Sequence, residues 1–156
     1  MVFFESLKTL STVKFIIGLI QPEMKPLPYS GSEIQKLATE TIEVYLKNIT
    51  TINLWAKEYG FKVVYYWQPT IFSKPELSDF EKKEAEKYGF IKDIVHAANL
   101  QVGNIKAEME SSVFYNISDI FRNESKPIFI DYCHVSEYGN SVIANKMAED
   151  IAAVLK

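Results

Sequence analysis

The chain is poor in the features that mark specialised classes of protein. Its single cysteine, Cys133, excludes an intrachain disulfide and leaves the cellular compartment undetermined. The net charge is -3 and the basic residues form no cluster, so we expect no nucleic-acid partner. The longest apolar run, residues 15–20, is far shorter than the roughly 20 residues that a transmembrane helix needs. We therefore expect no membrane span.

The composition indicates one globular domain. Hydrophobic residues make up 47% of the 156 residues and charged residues 24%, which is the usual balance for a folded domain. A chain of this length buries enough surface to form a core of its own. The sequence contains no internal repeat, low-complexity tract or interdomain linker. We therefore treat residues 1–156 as a single domain.

The pattern of apolar residues predicts alternating helices and strands. Apolar residues at helical spacing, with capping patterns before them and glycines after them, predict helices, whereas β-branched and aromatic runs predict strands. The predicted helices cover residues 2–20, 32–60, 78–89, 91–109 and 136–155, and the predicted extended segments cover 61–67, 112–117 and 128–130. This alternation is typical of a three-layer α/β domain with a parallel sheet. Only two or three strands are found, so the sheet is expected to be incomplete, because parallel strands are normally covered on both faces and flanked by neighbours.

Several local features refine this assignment. Capping boxes are predicted at Ser32 and at Ser78, the second with Glu81 as its acidic partner. The charged run 81–87 is interpreted as a solvated helix face. Three large apolar residues at helical spacing are predicted to face the core: Trp55, Ile151 and Leu155.

The sequence Asp131-x-x-His134 is the best candidate for chemistry. A carboxylate three residues before an imidazole can accept the Nδ1 proton, which fixes the tautomer and leaves Nε2 free to act as a base. The pair follows a short apolar segment and precedes the turn that opens the last helix, and ligands of parallel α/β sheets bind beyond the carboxyl ends of strands. The alternative is a helix-capping aspartate beside a surface histidine.

No nucleophile accompanies this pair convincingly. In the Ser30-Gly31-Ser32 segment, Ser32 has a better role as a helix cap, and Ser136 is expected to cap the last helix. Cys133 adjoins the histidine, but consecutive side chains point apart, so we favour a small buried residue over a Cys–His dyad.

The other polar candidates are weaker. His96 has no second ligand at metal-binding spacing, so we expect no metal site and no cofactor. Gln68 ends a predicted strand and either borders the site or merely terminates the strand.

Residues 128–140, followed by Ile143-Ala144, resemble the C-terminal block of the SGNH/GDSL hydrolases, a family of esterases, lipases, carbohydrate deacetylases and acyltransferases. Residues 59–69 and 114–121 resemble two further strands of that family with their following turns, so the resemblance covers about residues 40–155. It implies a flavodoxin-like α/β/α fold in which His134 is the general base and Asp131 orients it. It also implies serine attack on an ester carbonyl through an acyl-enzyme.

The family's Gly-Asp-Ser block and its Gly and Asn oxyanion donors have no counterpart here. By resemblance the chain is the C-terminal portion of such a domain and is expected to be inactive, or nearly so, by itself. A small acyl ester or acetylated sugar is the expected substrate. The alternatives are a non-catalytic paralogue or subunit that associates through the exposed edge of strand 61–67, and an O-acyltransferase.

Overall fold

The computed structural model describes residues 29–108 and 113–155, so the helix predicted over residues 2–20 lies outside the described residues. Within them, the structure is mixed α/β, rich in helix, with a small parallel sheet. The helices are α1 (Gly31–Tyr59), α2 (Asp79–Lys87), α3 (Lys92–Glu108) and α4 (Glu137–Val154), the strands are β1 (Val64–Trp67) and β2 (Val113–Asn116), and short 3-10 turns cover Ile71–Ser73 and Gly89–Ile91.

The boundaries of α1 follow from its capping residues. Its N-cap is Ser30, whose side chain accepts from the backbone N–H of Glu33 while the Glu33 carboxylate accepts from the backbone N–H of Ser30. The prediction of Ser32 as the cap is therefore wrong by two residues, since Glu33 closes the capping box with Ser30. The helix ends as predicted at Gly60, whose positive φ of 72° suits glycine.

The two strands form a parallel pair in which Val64 lies opposite Val113 and Trp67 opposite Asn116. Both strands are shorter than predicted, since residues 61–63 lie outside β1 and Ile117 lies outside β2. The crossover between them contains α2 and α3, as parallel strands require. β1 begins at Val64 and β2 at Val113, and both are β-branched residues of the runs that predicted these strands.

Helices lie against both faces of this sheet. On one face, Tyr65 and Phe114 pack with buried residues of α1 and α3, including Ile42, Ile49 and Val102. On the other face, Tyr66 and Tyr115 stack with ring centroids 5.6 Å apart, and the Lys146 ammonium of α4 lies over the Tyr115 ring. A second cluster, outside the sheet, joins the 3-10 turn after β1 to the segment before α4. Its buried members are Ile71, Phe121, Ile128 and Phe129.

The predicted inward faces of α1 and α4 are correct only in part. Ile49 of α1 is buried, but Trp55 is 57% exposed. Near the end of α4, Ile151 is 39% exposed and Leu155 is 67% exposed. A large part of each of these three side chains therefore remains in contact with solvent. Among the described residues, no helix has the length and apolarity that a membrane crossing needs.

Candidate active site

The Asp131–His134 pair lies in a loop whose ends are held by main-chain hydrogen bonds. Phe129 and Val135 form an antiparallel bridge, in which the N–H of Ile130 donates to the carbonyl of His134 at 2.9 Å. The N–H of Ser136 donates back to the carbonyl of Ile128 at 2.7 Å. The predicted extended segment 128–130 therefore pairs with its own continuation and not with the parallel sheet.

A buried carboxylate fixes the start of this loop. Glu81 of α2 is fully buried, and its Oε1 atom accepts from the backbone N–H groups of Ile128 at 2.8 Å and Phe129 at 3.0 Å. Its Oε2 atom accepts from the Lys74 ammonium at 2.8 Å and from the backbone N–H of Ser78 at 2.8 Å. Glu81 caps α2 as predicted, but its assignment to a solvated helix face is wrong.

Within the loop, the Asp131 carboxylate binds both the main chain and the histidine. Its Oδ1 atom accepts from the backbone N–H groups of Cys133 at 2.9 Å and His134 at 2.7 Å. Its Oδ2 atom lies 2.7 Å from Nδ1 of His134. Because Asp131 holds the backbone and the ring of the same residue, the orientation of the imidazole is set by the turn itself. Asp131 is therefore a positioning residue for His134.

The protonation of Asp131 suits this role. Partial burial by itself raises the pKa of the carboxyl, but the backbone N–H groups of His134 and Cys133 and the His134 ring outweigh it and hold the pKa at about 2. The carboxylate is therefore ionised at neutral pH and accepts a hydrogen bond from the protonated Nδ1 atom of His134. The His134 side chain is 72% exposed, and its Nε2 atom has no hydrogen-bond partner among the described residues.

The ring lies beside the carboxyl end of β1. Gln68 and Pro69, which follow β1 directly, share a cleft of about 340 Å³ with Ile130, His134 and Asn140. The backbone N–H of Ile71, just after them, donates to the carbonyl of Tyr132 at 2.9 Å. Of the two readings that the sequence left open for Gln68, the structure favours the one in which it borders the histidine.

Cys133 lies closer to the histidine than the sequence suggested. Its Sγ atom is 3.7 Å from Nδ1 of His134, so the expectation that the two side chains point apart is wrong. Nδ1 is already bonded to Asp131, however, and burial raises the pKa of the Cys133 thiol. The thiol therefore lacks a base at its own side of the ring, and the structure provides no activated Cys–His dyad.

The remaining candidates are not part of the Asp131–His134 pair. Ser30 and Ser32 lie at the start of α1, where their hydroxyls are 3.1 Å apart. Ser136 caps α4 as predicted, since its side chain accepts from the backbone N–H of Gly139. His96 is exposed on α3.

Ligand atoms of Asp131, Cys133 and His134 lie within 4.8 Å of one another, which is the geometry of a small metal-binding set. A metal ion at Nδ1 would have to displace the proton that His134 donates to Asp131, so the arrangement is that of an imidazole hydrogen-bonded to a carboxylate.

Comparison of the chain with known protein families, curated proteins and solved structures gives no match.

Proposed function

We propose that the chain carries the acid–base part of an SGNH-type serine ester hydrolase, with His134 as the general base and Asp131 as the residue that orients it. The observation that carries the proposal is the 2.7 Å contact between Nδ1 of His134 and Oδ2 of Asp131. With this contact the proton is on Nδ1, which donates it to the carboxylate, and Nε2 is the basic atom at the cleft beside β1.

In this mechanism Nε2 removes the proton of a serine hydroxyl as its oxygen attacks the ester carbonyl. The resulting imidazolium is stabilised by Asp131 and gives its proton to the leaving alcohol, and water then releases the acyl group through the same base. The serine and the oxyanion donors belong to chain outside the described residues or to another polypeptide. The flavodoxin-like arrangement and the SGNH relationship are part of this proposal, and the α/β layers and the position of His134 beside the carboxyl end of β1 support them.

The test is ester hydrolysis by the natural translation product, purified together with any polypeptide that accompanies it. We expect p-nitrophenyl acetate to be hydrolysed by the wild type and by His96→Ala, and His134→Ala to lower the rate on the order of 10³-fold. His96 is the matched control because it is the other histidine of the chain and is exposed on α3. Equal rates for the two variants would overturn the proposal.

A second readout identifies the nucleophile. A fluorophosphonate probe reacts with an activated serine, whose oxygen bonds to phosphorus as fluoride leaves and the hydroxyl proton passes to the base. We expect labelling in the wild type and His96→Ala and none in His134→Ala, with mass spectrometry locating the serine. Labelling that persists in His134→Ala would show that another base serves the reaction.

The unpaired sheet edge favours a second candidate, a subunit that functions through association. The carbonyl of Trp67 accepts from Ile117 beside β2, so in a pleated strand Tyr66 presents its main-chain groups to the opposite edge. There the Tyr66 carbonyl accepts from the Tyr45 hydroxyl at 3.1 Å, and among the described residues no strand other than β2 pairs with β1. Such an edge can pair with another strand. Sedimentation showing a monomer at high concentration would argue against this candidate.

A further inference from the structure

A second cavity adjoins the histidine cleft at Gln68, which lines both. It has a volume of about 450 Å³, within the range of small-molecule sites, and lies between α1 and α3 at the carboxyl end of β1. We call it the Trp67 pocket after the residue at its wall. Gln68 is thus the residue that the Trp67 pocket and the histidine cleft have in common.

Its walls are mostly hydrocarbon and aromatic. Ile94, Val95 and Ala98 of α3 form one side, and the rings of Tyr45 and Trp67 form another, with centroids 5.3 Å apart in an edge-to-face arrangement. Trp67 is held in place because its indole N–H donates to Oδ1 of Asn99 at 2.8 Å. This hydrogen bond orients the indole before any ligand binds, which lowers the entropy lost on binding.

None of the described residues that line the pocket is charged, and its polar side chains include Thr41, Gln68, Thr70 and Asn99. Asn99 uses its oxygen for Trp67, so its amide N–H groups face no partner among the described residues. The Thr70 hydroxyl oxygen is likewise buried without a partner among them. A charged ligand would lose its hydration here without a counterion to compensate.

From this chemistry we infer that the Trp67 pocket binds the uncharged acyl chain of the ester whose carbonyl lies at Gln68, beside His134. The inference rests on the proposed function and names its substrate class as esters with a short hydrocarbon acyl chain. Burial of each methylene group would strengthen binding, since apolar surface leaves water for an apolar wall. Acyl chains longer than acetyl are therefore expected to bind better than acetyl itself.

Trp67 is a built-in reporter of occupancy. The chain has two tryptophans, and the other, Trp55, is 57% exposed on α1, so Trp55→Phe leaves Trp67 as the single tryptophan. Binding is measured in this background with His134→Ala added, so that no ester is turned over. Titration with ethyl hexanoate is expected to change the Trp67 emission to saturation, and ethyl acetate at least tenfold more weakly. Hexanoate ion is also expected to bind more weakly than its ethyl ester.

A matched pair of threonines tests the location. Thr41 lines the pocket and Thr50 does not, yet both are exposed on α1 with hydroxyls that donate to the carbonyl four residues earlier, Leu37 at 2.8 Å and Leu46 at 3.0 Å. Nine residues apart on a helix, they point to opposite sides. We expect Thr41→Phe to weaken ethyl hexanoate binding at least tenfold and Thr50→Phe to change it less than twofold.

Circular dichroism checks that both variants are folded. If Thr41→Phe is not folded, Val95→Phe is the second variant that fills the pocket. Equal affinities for the pocket-filling and control variants, or no saturable change in emission, would overturn the acyl pocket. Because binding is read without turnover, this failure is distinct from that of the proposed hydrolase, which would appear as intact binding without His134-dependent hydrolysis in the wild-type protein.

Discussion

The Lys74 ammonium lies 2.8 Å from Oε2 of Glu81, and neither side chain is exposed to solvent. The same carboxylate holds the backbone N–H groups of Ile128 and Phe129, which begin the histidine loop. One buried charge thus links the segment after β1, the start of α2 and the loop that carries His134. The position of the candidate base depends on a residue that has no contact with the cleft.

We expect Glu81→Gln to lower the free energy of unfolding by about 3–5 kcal/mol, because the amide leaves the Lys74 charge buried without a counterion. Urea denaturation measures the change. The control is Glu86→Gln on the same helix, where the side chain is exposed and a change within about 0.5 kcal/mol is expected. A Glu81→Gln protein as stable as the control would show that the pair does not hold the loop.

Stability should also decrease in acid. Burial by itself raises the pKa of Glu81, but the Lys74 ammonium and the backbone N–H groups of Phe129, Ile128 and Ser78 outweigh it and hold the pKa at about 2, below its usual value of 4.5. A lowered pKa in the folded state stabilises the fold above pH 4.5, and this stabilisation is lost as the pH falls toward 2.

The contribution from Glu81 alone is about 3 kcal/mol, and Asp131, whose pKa is also about 2, adds to it. Urea denaturation at several pH values should show this decrease in the wild type and a flatter dependence in Glu81→Gln. Parallel curves for the two proteins would contradict the assignment of the acid sensitivity to Glu81.

Features that depend on residues close in the sequence were predicted better than features that depend on long-range contacts. The ends of α1 and α2 and the start of α4 could be predicted to within a few residues, because each is set by a capping residue or a glycine close to it in the sequence. The Asp131–His134 contact is equally local, and the structure brings the two side chains together. The burial of Glu81 could not be predicted, because its partners Ile128 and Phe129 lie 47 and 48 residues away in the sequence. Trp55 was misplaced because a helical period identifies a stripe but not which part of it the sheet reaches.

Asp131→Asn should disable the base while preserving the loop. The amide oxygen can still accept from the backbone N–H groups of Cys133 and His134, but the amide nitrogen then faces Nδ1 with a donor. Nδ1 becomes the acceptor, so Nε2 carries the proton and cannot act as a base. Nitrogen-15 NMR of the imidazoles should show this change of tautomer at His134 and none at His96.

Ester hydrolysis that depends on His134 is expected to fall on the order of 10³-fold in the same variant. Unchanged thermal stability would show that the loop persists. A His134 tautomer that does not respond to Asp131→Asn would mean that the 2.7 Å contact does not control the proton.

Gly139 in the first turn of α4 is expected to tolerate no larger residue. A Cβ atom there would lie 2.8 Å from Cβ of Val135 and 3.0 Å from Cγ2 of Ile128, two residues at the paired ends of the histidine loop. Neither contact is with the flexible end of a long side chain, so the helix or the loop must shift. We expect Gly139→Ala to destabilise the fold by about 1–3 kcal/mol and to displace the His134 resonances in NMR spectra.

Gly103→Ala provides the opposite case within α3. A Cβ atom there has no neighbour within 4 Å among the described residues, and the glycine lies inside a helix. Alanine should therefore stabilise the protein by about 0.5–1 kcal/mol through its higher helix propensity, without moving the His134 resonances. If the two substitutions changed stability in the same direction, close packing of α4 on the loop would not be what requires glycine at 139.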